Sequence, residues 1–219
     1  MPKTGPATGP VIEEHAESIG EWLELHSRQA TIGAIVIVAV GLGFWFWRGA
    51  AEKKAVEASR SLSEAQLAFG SGNTALAQSD LQKVVSRFGG TSAGIQARLL
   101  LAQTYYDQQK FADGLKVLEQ VGDPAPFTAS FHAIRAAGFE QSGKEAEAAA
   151  EYLKASVAAV PDADKAGYKA DAARAYEAAK KPDEAVKIWT ELAADETNPM
   201  AGEARLRLGE LTAKPASRG

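Results

Sequence analysis

Four features of this chain have residue types that could do chemistry: three histidines, a group of glutamates, an Asp-x-Asp turn and a glycine-rich turn. A metal centre or a Ser-His-Asp set needs several ligating or proton-moving groups that converge. His15, His26 and His132 are scattered, and two of them precede the long apolar run described below. Neither arrangement can be drawn from them. Glu145, Glu147 and Glu151 read as solvated carboxylates on a helix surface, whereas a general acid must be desolvated to hold its proton. The stretch from Asp162 to Gly167 begins like a calcium loop, but Ala166 and Ala173 occupy ligand positions, so it reads as a helix-capping turn. Gly70-Ser71-Gly72-Asn73-Thr74-Ala75 spells GxGxxA, yet it follows a helical pattern and not the strand that a phosphate-binding loop requires. Cysteine is absent, which removes disulfides, thiol catalysis and thiolate metal sites. The expectation is a non-catalytic chain without cofactor or metal.

What remains is the framework. Thr31 to Trp47, TIGAIVIVAVGLGFWFW, carries no charge between Arg28 and Arg48. As a helix it would be about 26 Å long, near the short limit for crossing a hydrocarbon core of about 30 Å. Phe44, Trp45, Phe46 and Trp47 gather at one end, where aromatic rings favour the headgroup level. A transmembrane anchor over 30-51 is expected. A cleaved signal peptide is disfavoured by the glutamate-rich leader and by the bulky Trp45 to Trp47 beside the would-be cleavage site. Before the anchor, 1-29 holds a Pro/Gly-rich tail and then a short amphipathic helix, with Ile12, Ala16, Ile19 and Leu23 at helical steps and five glutamates opposite. The net charge of -4 includes no basic field, so nucleic acid is an unexpected partner.

After the anchor, no stretch alternates like a strand, and alanine makes up about a fifth of the chain. Closely packed helices are expected, because alanine favours helix and lets backbones approach. Turn residues divide 52-213 into helix pairs, and the pairs conceal a repeat. A small residue recurs at Ala77, Gly114, Ala148 and Ala185, at spacings of 37, 34 and 37. Twelve positions before each stands another: Ala65, Ala102, Ala136 and Ala173. Aromatics follow the earlier column at Tyr105, Phe139 and Tyr176.

This pattern resembles the tetratricopeptide repeat, a helix-turn-helix unit of roughly 34 residues. Leu101-Ala102-Gln103-Thr104-Tyr105 matches its first-helix element, and Ala172 to Tyr176 matches in part. Pro126, Pro161 and Pro199 approximate its terminal proline. Its first-helix tryptophan is replaced by Ser61, Arg98, His132 and Lys169, so the repeats are degenerate. The expected fold class is all-α: a single transmembrane helix, then a tetratricopeptide-repeat-like solenoid of about four helix pairs, a capping helix near Leu208-Gly209, and a disordered tail over 214-219. In such folds the first helices line a concave groove that holds partner segments. The resemblance places Gln66, Phe69, Leu99, Gln103, Tyr106, Arg174 and Glu177 in that groove.

The order of acidic leader, anchor ending in aromatics and Arg48, and degenerate repeats is similar to that of the bacterial YfgM family, ancillary subunits of the SecYEG translocon. Trp22 to Arg48 and Ser59 to Gln66 carry that resemblance. It implies a single-pass inner-membrane protein with its N-terminus in the cytoplasm and its repeats in the periplasm. There it would bind the translocon and periplasmic chaperones and help receive secretory clients, with lipid held only through the anchor. A membrane-tethered scaffold for another envelope assembly or division complex is the alternative. The basic residues point the other way in orientation: Lys3 and Arg28 precede the anchor, while Arg48, Lys53, Lys54 and Arg60 follow it, and such residues favour the cytoplasmic side.

Overall fold

A chain in which every fifth residue is alanine has little side-chain entropy to lose on forming helices, and the computed structural model is helical throughout its elements. It describes residues 27–122, 124–160 and 162–213. The amphipathic helix expected between Ile12 and His26 and the tail at 214-219 lie outside the described residues. No strand occurs among those that are described. The elements are α1 (Ser27–Gly70), α2 (Thr74–Phe88), α3 (Ser92–Asp107), α4 (Phe111–Glu119), α5 (Thr128–Gln141), α6 (Glu145–Ala158), α7 (Asp162–Ala178), α8 (Pro182–Ala194) and α9 (Ala201–Thr212). The chain divides into two compact units between Lys53 and Lys54.

In the first unit the described residues are helical, and the large apolar side chains from Ile32 to Trp47 are exposed, Ile37 to 73% and Phe46 to 75%. Phe44 and Trp47 stand one turn apart with ring centroids at 6.3 Å. An exposed apolar surface of this extent marks an interaction site on any soluble protein. The helix is also the one candidate among the described residues that is long and apolar enough to cross a membrane.

The second unit is a stack of antiparallel helix pairs in which each helix packs mainly on its neighbours in sequence, and α3 also touches α5. The two small-residue columns are its crossing points. Ala65, Ala102, Ala136 and Ala173 have no exposed surface, nor do Ala77, Ala148 and Ala185, and Gly114 is buried with them. Around the crossings the core proceeds in sections. The first joins Ala58 and Leu62 of α1, Leu81, Val84 and Phe88 of α2, and Ala97 and Leu101 of α3. A second gathers Leu99, Tyr106, Leu118 and Phe131, and a third centres on Ala148, Ala149 and Ala175 with Phe139, Tyr152 and Tyr176. The last surrounds Trp189 of α8 with alanines of α7 and with Ala204 and Leu208 of α9.

Each pair is closed by the same turn. A residue with positive φ ends the first helix at Gly72 (74°), Gln109 (59°), Gly143 (73°) and Lys180 (58°), again at spacings of 37, 34 and 37. In each turn that residue's N–H donates to the carbonyl three residues back, and the next N–H donates to the carbonyl five back. For the first pair these are Gly72 to Phe69 at 3.0 Å and Asn73 to Ala68 at 3.1 Å; for the last, Lys180 to Glu177 at 3.0 Å and Lys181 to Tyr176 at 2.9 Å. This is the left-handed helix stop that satisfies otherwise orphaned carbonyls, and glycine is its least costly occupant. Gln109 and Lys180 hold the same geometry with a Cβ present.

Candidate protein-binding groove

The first helices of successive pairs share one face, and between the end of α1, α3 and α5 that face opens into a cleft of about 440 Å³. Phe69, Gln103, Tyr106 and Asp107 line one side of it, and Ile134, Ala137 and Gln141 the other. Helical spacing explains the membership: Gln103, Tyr106 and Asp107 lie three and four apart on α3, and Ile134, Ala137 and Gln141 do so on α5. Apolar surface from Phe69, Tyr106, Ile134 and Ala137 forms the middle, with amide and carboxylate groups at the rim.

Tyr106 forms the floor because two glycines make room for its ring. A Cβ at Gly114 of α4 would run into the Tyr106 ring and come within 2.9 Å of the Ala102 carbonyl; one at Gly138 of α5 would meet the Tyr106 hydroxyl and lie 3.0 Å from Leu115 Cδ2. The ring is 6% exposed, sits 6.3 Å from the Phe111 ring, and its hydroxyl has no hydrogen-bond partner among the described residues. Burial pushes its pKa well above the usual tyrosine range, against the opposing pull of Arg135. Tyr106 is therefore a neutral wedge between α4 and α5, with one edge to the cleft.

The groove residues expected from sequence divide into three groups. Phe69, Gln103 and Tyr106 come together in the cleft. Gln66 is exposed on α1 one turn before Phe69, outside the lining. Leu99 is 6% exposed and packs inward beside Leu118 and Phe131. Arg174 and Glu177 are engaged elsewhere. Arg174 donates to Asp171 and to Glu203 of α9, both at 2.5 Å, while Glu177 accepts from Trp189 Nε1 at 2.6 Å and lies 3.9 Å from Arg207. Burial alone would lower the Arg174 pKa, but the two carboxylates outweigh it and raise it. Asp107, Ile134, Ala137 and Gln141 were not anticipated. Ala137 follows Ala136 as Gln103 follows Ala102, so the same offset applied to the third pair finds it.

One reading of the carboxylates is corrected. Glu151 is 4% exposed, not solvated. It accepts hydrogen bonds from His132 of α5 and Lys154, both at 2.7 Å, and Arg135 lies 3.7 Å away. Burial alone would raise its pKa, but the Lys154 and His132 hydrogen bonds and the Arg135 and Lys154 charges win and hold it below the usual carboxylate value. A carboxylate kept ionised in this way cannot serve as a general acid. It ties α5 to α6. No grouping of His, Asp and Glu suited to a metal ion occurs among the described residues.

The repeat geometry has a counterpart in known sequences. A family model described as a tetratricopeptide repeat-like domain matches residues 21–193. The chain belongs to this family. No curated protein sequence matches it. Among solved structures, it is similar to the nearly identical TPR-like repeats of a Podosopora anserina kinesin light chain, at 18% identity and a TM-score of 0.56 over 70% of this chain and 86% of that one. It is also similar to MamA, at 15% identity and a TM-score of 0.55 over 67% and 81% of the two chains. At these identities the likeness is one of fold. A tetratricopeptide repeat-like domain is a scaffold for protein–protein interaction, and no enzyme family is indicated. The cleft lies on the face shared by α1, α3 and α5, the first helices of three successive pairs.

Proposed function

We propose that this chain is a non-catalytic, membrane-anchored adaptor that associates with the SecYEG translocon and assists the hand-off of secreted proteins to periplasmic chaperones. The observation that carries this reading is the cleft of Phe69, Gln103, Tyr106, Asp107, Ile134, Ala137 and Gln141 in a chain that also bears an apolar helical run whose large side chains are exposed. An apolar middle with a polar rim suits an unfolded or helical segment that offers one or two apolar side chains and backbone groups. The resemblance of Trp22 to Arg48 and Ser59 to Gln66 to the YfgM family supports the choice of translocon. In this reading Phe69, Gln103 and Tyr106 contact the partner, while Gln66 lies beside the cleft and Leu99, Arg174 and Glu177 hold the helices of the stack together.

The test places a photocrosslinking amino acid at Gln103 in the full-length chain in native membranes. SecY-type subunits, periplasmic chaperones or secretory chains among the products support the adaptor; products confined to another complex overturn it. Protease added to intact spheroplasts should degrade the repeats if they face the periplasm. One observation favours a second reading. Arg48, Lys53, Lys54 and Arg60 follow the apolar run while Lys3 and Arg28 precede it, and that bias favours cytoplasmic repeats. Repeats that survive the protease would point to a cytoplasm-facing scaffold for an envelope assembly or division complex.

A further inference from the structure

Just past the apolar run, the helix surface is interrupted. Gly49 and Ala50 present almost no side chain, and around them opens a notch of about 680 Å³. Trp45 and Phe46 bound it on the side of the apolar run; Arg48, Glu52 and Lys53 bound it on the other. Helical side chains lean toward the N-terminus, so Glu52 and Lys53 tilt back over Gly49 towards the rings. Lys53 stands about 7.5 Å along the axis from Arg48 at the helical rise, and both carry long flexible stems. All three charged side chains are exposed, and no ion pair within the described residues involves Arg48, Lys53 or Glu52. The second unit differs: there Arg60, Lys83, Arg87, Arg174 and Arg207 each have a carboxylate.

We propose that this notch binds the headgroup of an anionic phospholipid. The proposal rests on the membrane reading of the apolar helix. Its phosphate is held between the Arg48 guanidinium and the Lys53 ammonium, and the start of an acyl chain lies against the Trp45 and Phe46 rings. Charge complementarity selects the lipid class. Two free cations face one free carboxylate, so the notch is net positive, and Glu52 tempers the attraction without cancelling it. Aromatic rings on one side and cations on the other match the order from acyl chain to headgroup across a bilayer interface. The assignment also gives Arg48 and Lys53 a role that does not depend on which side of the membrane the repeats occupy.

The experiment reconstitutes the full-length protein, with Trp22 and Trp47 replaced by phenylalanine, so that Trp45 reports beside the buried Trp189. Vesicles contain phosphatidylcholine and phosphatidylglycerol in fixed proportion, with bromine on the acyl chains of one lipid or the other. Brominated phosphatidylglycerol should quench Trp45 more than brominated phosphatidylcholine at equal mole fraction. Arg48→Gln and Lys53→Gln should each lower that preference roughly fivefold, as expected for one interfacial charge. Glu52→Gln should raise it, and Lys54→Gln, which does not line the notch, should change it less than either of those two. Equal quenching by the two lipids, or a preference that survives the Arg48→Gln/Lys53→Gln pair, overturns the proposal and leaves the membrane reading standing. A protein that floats with neither vesicle overturns both.

Discussion

The second and fourth helix pairs use the same positions for opposite purposes. In the second, Gln103 and Tyr106 follow the buried Ala102 by one and four residues and open onto the cleft. In the fourth, Arg174 and Glu177 follow Ala173 at the same offsets and reach sideways to Glu203, Arg207 and Trp189. The difference lies in the neighbour. Past α3 comes another pair whose Gly138 and Ala137 are too small to cover the face, whereas past α7 the closing helix α9 brings charges within reach. A stack that buries each layer against the next must finish its last layer, and here the residues that would have bound a partner are spent on holding the cap.

The sharpest way to break the contrast is at the cap. Trp189 has no exposed surface and donates to Glu177, so Trp189→Ala should cost about 3 to 5 kcal/mol in chemical denaturation. At the cleft the corresponding stress is overpacking. Gly138→Ala should cost about 1 to 3 kcal/mol, and adding Tyr106→Phe, which removes the hydroxyl that the new methyl meets, should recover part of it. If the double variant is no more stable than Gly138→Ala alone, the wedge assignment is wrong.

Between the two ends, Glu151 supplies a pH signature. Its folded pKa is depressed, so its contribution is present in full above the ordinary value of 4.5 and is lost as pH falls through the folded pKa. Glu151→Gln should therefore destabilise near neutrality by about 1.5 to 3 kcal/mol and flatten the acid limb of a stability–pH curve. A smaller effect, of opposite sign, is expected at the turns. Lys180→Gly should raise stability by about 1 kcal/mol, since the left-handed conformation penalises a Cβ. Gly143 holds glycine in the same conformation, with φ 73°, so Gly143→Ala should lower stability instead. Smallest is the direct comparison of the shared column. Arg174→Ala should cost up to about 1 kcal/mol through its part-exposed ion pairs, and Gln103→Ala less than about 0.5 kcal/mol while weakening capture of a partner.

The repeat was legible because its signal is local and physical: every residue of the two small-residue columns proved buried at a helix crossing, as the closeness of those helices demands. The aromatic column Tyr105, Phe139 and Tyr176 likewise packs against the core sections. The groove was legible only in part. Its offsets are periodic, which found Phe69, Gln103 and Tyr106, but which of those positions stays free depends on a helix that arrives later in the chain. Arg174 and Glu177 meet α9 across about thirty residues of sequence and no pattern within α7 announces it. The desolvation of Glu151 was hidden for the same reason, since His132 stands 19 residues away on another helix. The turn conformation at Gln109 and Lys180 was hidden because neither is glycine.

The repeated turn carries one more consequence. Its left-handed residue always falls seven positions after the first-helix alanine, as Gly72 does after Ala65 and Lys180 after Ala173, while the spacing from one pair to the next changes by three residues. Length variation thus falls outside the closing turn, in the second helix and the joint after it: α2 has 15 residues and α4 has 9. A loop, tag or extra helical turn is therefore best grafted at the far end of a second helix, as after Glu119, where the closing turn of neither hairpin is touched.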